Sequence, residues 1–312
     1  MNKLRHIVLL FLLLAICWSK NSIAQQDPQY SQYMFNQMVL NPAYAGSKDA
    51  INAAVFLRSQ WTGIDGAPNT QTISIHGPTR KRKVGLGFAL VADQIGPKSS
   101  IGVMGSYAYR LQIGNGKLAL GIRAGVYQYV YNWNEINYKD QGDIYNTQNR
   151  TSTVVPTADA GLYYHTRTFY AGLAATHLYN GRLTTISNLN GDNAHLSPHL
   201  IFTIGKGWEI NDKLTFNPSL VVKAVQGAPI NADVNFSFLI QKKLWVGASI
   251  RSDKSLVAYT QFYATEKFKI GYAFDFGLSK IARVGRGSHE IMLGYDFNIK
   301  KSKMLSPRHA YF

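Results

Sequence analysis

Cysteine, acidic residues and long apolar stretches are all scarce in this chain of 312 residues. A single cysteine, Cys17, excludes a disulfide scaffold. Charged residues make up only 16% of the sequence, against about a quarter in an average soluble domain. After residue 24, no apolar stretch approaches the length of a transmembrane helix, about 18 residues. An apolar content of 46% nevertheless excludes a disordered chain.

Basic residues outnumber acidic ones, with 33 Lys and Arg against 17 Asp and Glu, so the formal net charge is +16. An excess of this size is typical of proteins that bind nucleic acid. The first 24 residues argue against that partner, because they predict export from the cytoplasm. We therefore expect no nucleic acid and consider anionic lipid, glycan or protein instead.

Residues 1–24 have the features of a cleaved signal peptide. Two basic residues precede an apolar run over 7–17, and Ser22-Ile23-Ala24 forms a small-x-small cleavage site. We predict that Gln25 begins the mature chain. Cleavage would remove the sole cysteine, which excludes thiol chemistry and cysteine metal sites.

Two alternatives to a cleaved signal stay open. An uncleaved anchor helix would need about 20 apolar residues, and the run over 7–17 is shorter. A lipoprotein would begin at Cys17, but Ile16 stands where such a signal has a small residue.

The rest of the chain alternates large apolar residues with small or polar ones, which is the pattern of β-strands. Most of these segments have 9 to 15 residues. Globular strands usually have about five or six residues, whereas a transmembrane strand needs about 9 to 11. Fourteen segments are predicted: 50–61, 70–78, 84–93, 99–113, 117–131, 154–165, 168–179, 196–206, 213–225, 230–241, 243–251, 255–264, 267–278 and 288–299.

The two faces of these segments suit lipid on one side and an enclosed lumen on the other. One face carries Leu, Val, Ile, Phe and Tyr, and the other carries Gly, Ala, Ser, Asn, Arg and Asp. The polar face of a β-sandwich would be richer in Lys and Glu. The longest connections, 132–153, 180–195 and 279–287, all follow odd-numbered segments, as external loops do in an even-stranded outer-membrane barrel.

The sequence therefore predicts an all-β fold, a transmembrane antiparallel β-barrel of about 14 strands with a short N-terminal helix or plug. Large apolar residues at helical spacing predict the helix over 29–40, ending before Pro42, at the periplasmic mouth. A fraying terminus is the alternative. We divide the chain into a signal peptide (1–24), an N-terminal periplasmic or plug segment (25–49), the barrel (50–299) and a basic C-terminal tail (300–312).

Candidate catalytic and metal sites are weak. His195 and His199 would lie about 13 Å apart on a strand, and Pro198 argues against a helix that would join them. The oxygen-rich run 188–192 lacks the acidic density of a calcium loop. No Gly-x-Ser-x-Gly motif is present. We expect no catalytic residue, no metal and no cofactor.

The densest cluster of charge is Arg80-Lys81-Arg82-Lys83, which falls in a predicted periplasmic turn. Its simplest interpretation is a solvated turn that does not cross the membrane. The functional interpretation is a docking point for a periplasmic partner, and both remain open.

Several blocks of the sequence resemble the PorP/SprF family of Bacteroidetes outer-membrane proteins. Most of them lie in the first third of the chain. They are Gln26-Asp27-Pro28-Gln29-Tyr30-Ser31-Gln32-Tyr33-Met34-Phe35-Asn36, Asn41-Pro42-Ala43-Tyr44-Ala45-Gly46-Ser47, Arg58-Ser59-Gln60-Trp61-Thr62-Gly63, Gly66-Ala67-Pro68-Asn69-Thr70-Gln71-Thr72 and Ser74-Ile75-His76-Gly77-Pro78. A similar tail ends in Phe312.

The resemblance implies an integral outer-membrane barrel tied to type IX secretion and, in gliding species, to motility. Such barrels help particular cargo proteins to cross the membrane or to stay attached to the surface, and some associate with periplasmic components of the machinery. The motif residues are then candidates for partner binding or for a plug: Asp27, Pro28, Gln29, Tyr30, Tyr33, Phe35, Asn41, Pro42, Tyr44, Gln60 and Trp61. A diffusion channel or small-solute transporter is the alternative function.

Overall fold

Antiparallel strands make up most of the chain in the computed structural model, which describes residues 27–48, 50–136, 150–179, 182–187, 193–279 and 284–297. The predicted signal peptide (1–24), the tail (300–312) and the run 188–192 lie outside the described residues. The strands are β1 (Ile51–Ser59), β2 (Asn69–Pro78), β3 (Val84–Ile95), β4 (Lys98–Ile113), β5 (Gly116–Asn132), β6 (Arg150–His165), β7 (Phe169–Thr176), β8 (Arg182–Ser187), β9 (Asn193–His195), β10 (His199–Lys206), β11 (Trp208–Asn211), β12 (Leu214–Val225), β13 (Asn231–Ile240), β14 (Leu244–Arg251), β15 (Ser255–Tyr263), β16 (Phe268–Gly277) and β17 (Ser288–Phe297).

The sheet closes on itself, because β1 pairs with both β2 and β17. The short strand β11 follows β10, and both pair with β12, so together they occupy one place in the barrel. The barrel therefore has 14 strands, which confirms the predicted fold class and strand number. The hairpin of β8 and β9 forms a separate two-stranded sheet. The sequence analysis missed this hairpin and placed a loop over 180–195.

Side chains alternate across the barrel wall as the sequence pattern predicts. On β4, Ile101, Val103 and Tyr107 are exposed on the outer face, whereas Met104 and Ala108 are buried on the inner face. Exposed apolar side chains recur at every second position on several other strands, among them β13 and β17. An apolar outer face is stable in contact with lipid chains, because its side chains are then not exposed to water. Within the described parts of the chain, no helix is long and apolar enough to cross a membrane.

The two ends of the barrel differ in the length of their connections. We call one the turn end; its connections include 79–83, 114–115, 166–168 and 241–243. We call the other the loop end; it holds the longest connections, 133–149, 177–198 and 278–287. The start of β1 and the end of β17 both lie at the turn end.

Residues 27–47, which we call the plug, lie against the inner face of the barrel and are largely buried. The plug runs from the loop end, where Asp27 contacts His177 beyond the end of β7, to the turn end, where Gly46 contacts His76 near the end of β2. The first described residue of the plug therefore lies at the loop end. This differs from the expected segment that closes the turn-end mouth.

The predicted helix over 29–40 is wrong. The plug forms three short 3-10 turns instead, Tyr33–Phe35, Gln37–Val39 and Pro42–Tyr44. Non-helical residues interrupt them, with φ of −142° at Asn36 and −141° at Asn41. A single apolar stripe suits a helix with one buried side, whereas the lumen surrounds the plug and offers partners in every direction.

Candidate functional site

Two consecutive backbone amides of the plug bind one carboxylate of the wall. The N–H of Ser31 donates to Oε2 of Glu290 at 2.8 Å, and the N–H of Gln32 donates to Oε1 at 2.9 Å. The side chain of Gln32 also donates to the backbone carbonyl of Glu290 at 3.1 Å. Glu290 is fully buried on β17. It therefore fixes the register of the plug against the wall.

Two buried arginines complete this contact, which we call the clamp. Nη2 of Arg58 lies 2.6 Å from Oδ2 of Asp275, and Nη1 of Arg251 lies 3.0 Å from the same oxygen. Arg251 also pairs with Asp233 at 2.9 Å and donates to the carbonyl of Tyr30 at 2.9 Å. Buried charges are tolerated only when paired and hydrogen-bonded. The clamp meets that condition by using charges from five barrel strands.

The second half of the plug is held by a capped turn. Oδ1 of Asn41 accepts a hydrogen bond from the N–H of Ala43 at 2.9 Å, and Nδ2 of Asn41 donates to the carbonyl of Leu162 on β6 at 2.8 Å. A Cβ atom at Gly121 would lie 2.2 Å from the Ala43 nitrogen, and one at Gly161 would lie 2.1 Å from Oδ1 of Asn41. The wall therefore needs glycine where the plug backbone approaches it.

Near the turn end, the plug backbone touches the wall directly. A Cβ atom at Gly85 would lie 1.9 Å from the carbonyl oxygen of Ala45. Gly46 has φ of +70°, and its carbonyl accepts a hydrogen bond from Arg110 while its N–H donates to Nδ1 of His76 at 3.1 Å. The ring of Tyr44 packs edge-on against His76, with centroids 5.3 Å apart. At the level of Gly85 the plug is therefore in direct backbone contact with the wall.

Asp27 binds two histidines at the loop end, in a contact that we call the clasp. Its carboxylate lies 2.8 Å from Nε2 of His177 and 3.0 Å from Nδ1 of His199. Burial opposes the charge of Asp27, but the two histidines lower its pKa well below the usual range. Burial likewise opposes the charge of His177, yet Asp27 raises the pKa of His177 above its usual value.

The clasp is expected to contribute most to the stability of the folded barrel at mildly acidic pH. Asp27 has a lowered pKa, so its contribution is present above about pH 4 and is lost as the pH falls further. His177 has a raised pKa, so its contribution is complete below about pH 6.5 and is lost as the pH rises through the raised value. We expect the stability difference between the wild type and Asp27→Asn to be largest between these limits and to shrink at alkaline pH.

Thermal unfolding of the purified barrel from pH 4 to pH 9 measures this difference. Asp65→Asn, at an exposed position of the connection 60–68, serves as the matched control. A difference that stays constant across the whole range would show that the clasp does not depend on charge.

An open cavity of about 500 Å³ lies between the plug and the wall at the loop end. Asp27, Pro28, Gln29, Tyr30 and Tyr33 form its plug side. The wall contributes residues of nine strands, β3 to β7, β10 and β12 to β14, and of the connections beside them, including His177, His199, Lys223, Asp233 and Arg251.

The motif residues from the sequence thus fall in two places. Most belong to the plug: Asp27, Pro28, Gln29, Tyr30, Tyr33, Phe35, Asn41, Pro42 and Tyr44. Within this group, Phe35 packs edge-on against Trp245 and Tyr259, with centroids 5.9 Å and 5.8 Å apart. Most of these side chains are buried against the barrel wall.

Gln60 and Trp61 lie apart from the plug motif, in the loop-end connection 60–68. The N–H of Gln60 donates to the carbonyl of Pro68 at 2.9 Å, and the N–H of Trp61 donates to Oγ of Ser288 at 3.1 Å. They brace the first hairpin against the start of β17, beside the closure of the barrel.

The basic run lies in the turn between β2 and β3, at the turn end. Arg80, Lys81 and Lys83 are exposed, and Arg82 is half-buried with φ of +57°. Other turns at this end add cations in excess of acids. The cations are Arg167, Lys213, Lys242, Lys243 and Lys267, and the acids are Glu209, Asp212 and Glu266.

Sequence reasoning missed the charged residues of the wall, including Arg58, Arg123, Asp159, Arg251 and Glu290. Arg123 pairs with Asp159 and donates to the plug carbonyls of Met38 and Val39, each at 3.1 Å. The signal was present: these residues lie at inward positions of the alternating pattern, among small neighbours. Among the described residues, no group of three or more potential ligands could hold a metal ion.

A family model for "Type IX secretion system membrane protein PorP/SprF" matches residues 22–295. No curated protein gives a significant match. Among solved structures, a CymD monoaromatic hydrocarbon channel is 10% identical with a TM-score of 0.51, covering 89% of this chain and 96% of that chain. At this identity the likeness shows the barrel fold alone.

Two further barrels are similar to a lesser degree. The outer membrane protein Omp33 of Acinetobacter baumannii is 10% identical with a TM-score of 0.46, covering 81% of this chain and all of that chain (100%). The toluene transporter TodX of Pseudomonas putida is 10% identical with a TM-score of 0.47, covering 85% of this chain and 94% of that chain.

Proposed function

Since the chain belongs to the PorP/SprF family of type IX secretion system membrane proteins, we propose that it binds one or a few secreted proteins and helps them to cross the outer membrane or stay on the surface. Its mechanism would be binding and tethering, without bond chemistry. The observation that carries this proposal is the plug. A lumen filled by a segment held through buried ion pairs and backbone contacts suits a binding scaffold better than a diffusion channel.

The difference between the two ends of the barrel supports a separate proposal for the partners at each end. Outer-membrane barrels turn their short connections to the periplasm and their long loops to the exterior. The loop end, with its cavity and the connections 133–149 and 177–198, would then meet cargo. The turn end would meet periplasmic components of the machinery through its basic turns, with Arg80, Lys81, Arg82 and Lys83 as the densest cluster. The exposed apolar band would contact lipid.

Deletion of the gene tests the proposal. We expect one or a few large proteins to leave the cell surface or the medium, while the rest of the secreted proteins stay unchanged, and quantitative proteomics of both fractions measures this. An unchanged set of secreted proteins with reduced uptake of a small solute would contradict the proposal and favour the channel.

Complementation of the deletion strain separates the role of the basic turn from that of the barrel. The variant Arg80→Gln/Lys81→Gln/Arg82→Gln/Lys83→Gln should reach the outer membrane at the wild-type level but restore less of the same proteins. Lys254→Gln, an exposed lysine of a loop-end turn, is the control. If the fourfold variant restores these proteins fully, the run is a solvated turn and not a docking point.

A further inference from the structure

Several buried polar atoms around the loop-end cavity have no hydrogen-bond partner in the described part of the chain. They are Oη of Tyr33, Oγ1 of Thr176, Nε2 of His199 and Oδ1 of Asp233. Their residues are 3–8% exposed. A buried polar atom without a partner is costly, and native proteins leave few of them. Four such atoms belong to residues that line this one cavity, and a polar ligand there could supply the partners that they lack.

Lys223 adds a positive charge to the same cavity. It lies on the inner face of β12, opposite Ile201 of β10 and Asn231 of β13. No hydrogen bond or ion pair joins its ammonium group to another described residue. The acids around it are already engaged: Asp27 with the two histidines, Asp159 with Arg123, and Oδ2 of Asp233 with Arg251. Lys223 is therefore available to an anionic group that enters the cavity.

The unpartnered set includes donors and acceptors within one space. The Lys223 ammonium can only donate and Oδ1 of Asp233 can only accept when ionised, whereas the hydroxyls of Tyr33 and Thr176 can do both. A peptide backbone matches such a set, because every residue offers one N–H and one carbonyl. The plug side of the cavity is itself irregular chain, residues 28–30, so an incoming peptide would lie beside another. The cavity volume falls within the range of about 300–1,000 Å³ typical of ligand sites.

We propose that the loop-end cavity binds a short extended segment of a cargo protein, and that the segment carries a carboxylate which pairs with Lys223. This inference rests on the proposed function and names its binding site. It places recognition inside the mouth of the barrel, where side chains from nine strands and the plug meet, in addition to the loops around it.

Equilibrium dialysis tests the site with the full-length mature barrel in detergent. The probes are a pool of N-acetylated tetrapeptide amides that carry Asp, Glu, Asn or Gln at one position, with free glutamate and inorganic phosphate in separate cells. Mass spectrometry measures what is retained. We expect Asp and Glu peptides to be retained over their Asn and Gln counterparts, and neither glutamate nor phosphate to be retained comparably.

Two variants and a control make the result specific. Lys223→Gln should weaken retention of the acidic peptides about tenfold and remove the preference for them. Tyr33→Phe removes a hydroxyl that has no partner in the free protein, so the barrel should keep its stability while every peptide binds a few-fold more weakly. Lys254→Gln should change nothing.

Three results would overturn this site: no peptide retained, retention indifferent to Lys223→Gln, or glutamate or phosphate retained as well as the peptides. If deletion removes specific proteins from the surface but the cavity retains no peptide, the proposed function stands and recognition lies elsewhere. If acidic peptides are retained but deletion leaves the secreted proteins unchanged, the cavity site stands and the secretion role fails.

Discussion

Replacing Arg58 by alanine is expected to lower the free energy of unfolding of the barrel by about 3–5 kcal/mol, the usual cost of breaking a buried ion pair. The guanidinium of Arg58 contacts Asp275 at 2.6 Å and Glu290 at 3.3 Å, and it donates to Oγ of Ser31 at 2.5 Å. All these groups are buried, so water cannot replace the lost cation. Two carboxylates would be left with too few partners, and the clamp on the plug would loosen.

Urea unfolding of the detergent-solubilised barrel, followed by the heat-dependent shift on electrophoresis, measures this loss. Arg167→Ala is the matched control, because Arg167 forms a solvent-exposed pair with Glu209 at 3.4 Å. Exposed pairs contribute about 0–1 kcal/mol. Equal effects of the two substitutions would show that the buried network does not hold the protein together.

Replacing Gly85 by alanine is expected to displace the plug and open the lumen. The added Cβ atom would lie 1.9 Å from the carbonyl oxygen of Ala45 and 2.6 Å from its carbonyl carbon, both of them backbone atoms. No rotamer change relieves such a contact, so either the plug or β3 must move. The wall strand is hydrogen-bonded on both sides by β2 and β4, and we expect the plug to move.

Conductance in planar bilayers measures the opening, with the wild type closed and Gly85→Ala conducting. Gly105→Ala is the control, because Gly105 lies on the outer face of β4 and an added Cβ there meets no atom within 4 Å. A second measurement follows the plug directly. In a chain that also carries Cys17→Ser, Met38→Cys should react with a water-soluble maleimide only when Gly85→Ala is present.

If Gly85→Ala does not conduct and the cysteine at position 38 stays unlabelled, the plug has not moved. That result would contradict the expected clash between residue 85 and Ala45. Conduction by the wild type would instead show that the plug leaves a continuous path. That result would return the diffusion channel to consideration as the function.

The strands were predictable because their pattern is local. A lipid-facing surface demands a large apolar residue at every second position, and the limits of β2, β4 and β13 agree with the sequence analysis within one residue at each end. The β8–β9 hairpin was missed because it forms a separate two-stranded sheet and takes no place in the barrel wall. Gly85 and Gly121 were recognisable from the sequence as small residues of the lumen face. Their contacts with Ala45 and Ala43 of the plug could not be predicted from the sequence.

The sequence by itself determined the barrel, its strand number and the two faces of its wall, since alternation with period 2 needs only neighbouring residues. Only the tertiary structure decided the direction of the plug and the composition of the clamp. Ser31 and Glu290 lie 259 residues apart and meet because closure of β1 on β17 brings the two ends of the chain together. The clasp of Asp27 with His177 and His199 likewise joins residues that no local spacing relates.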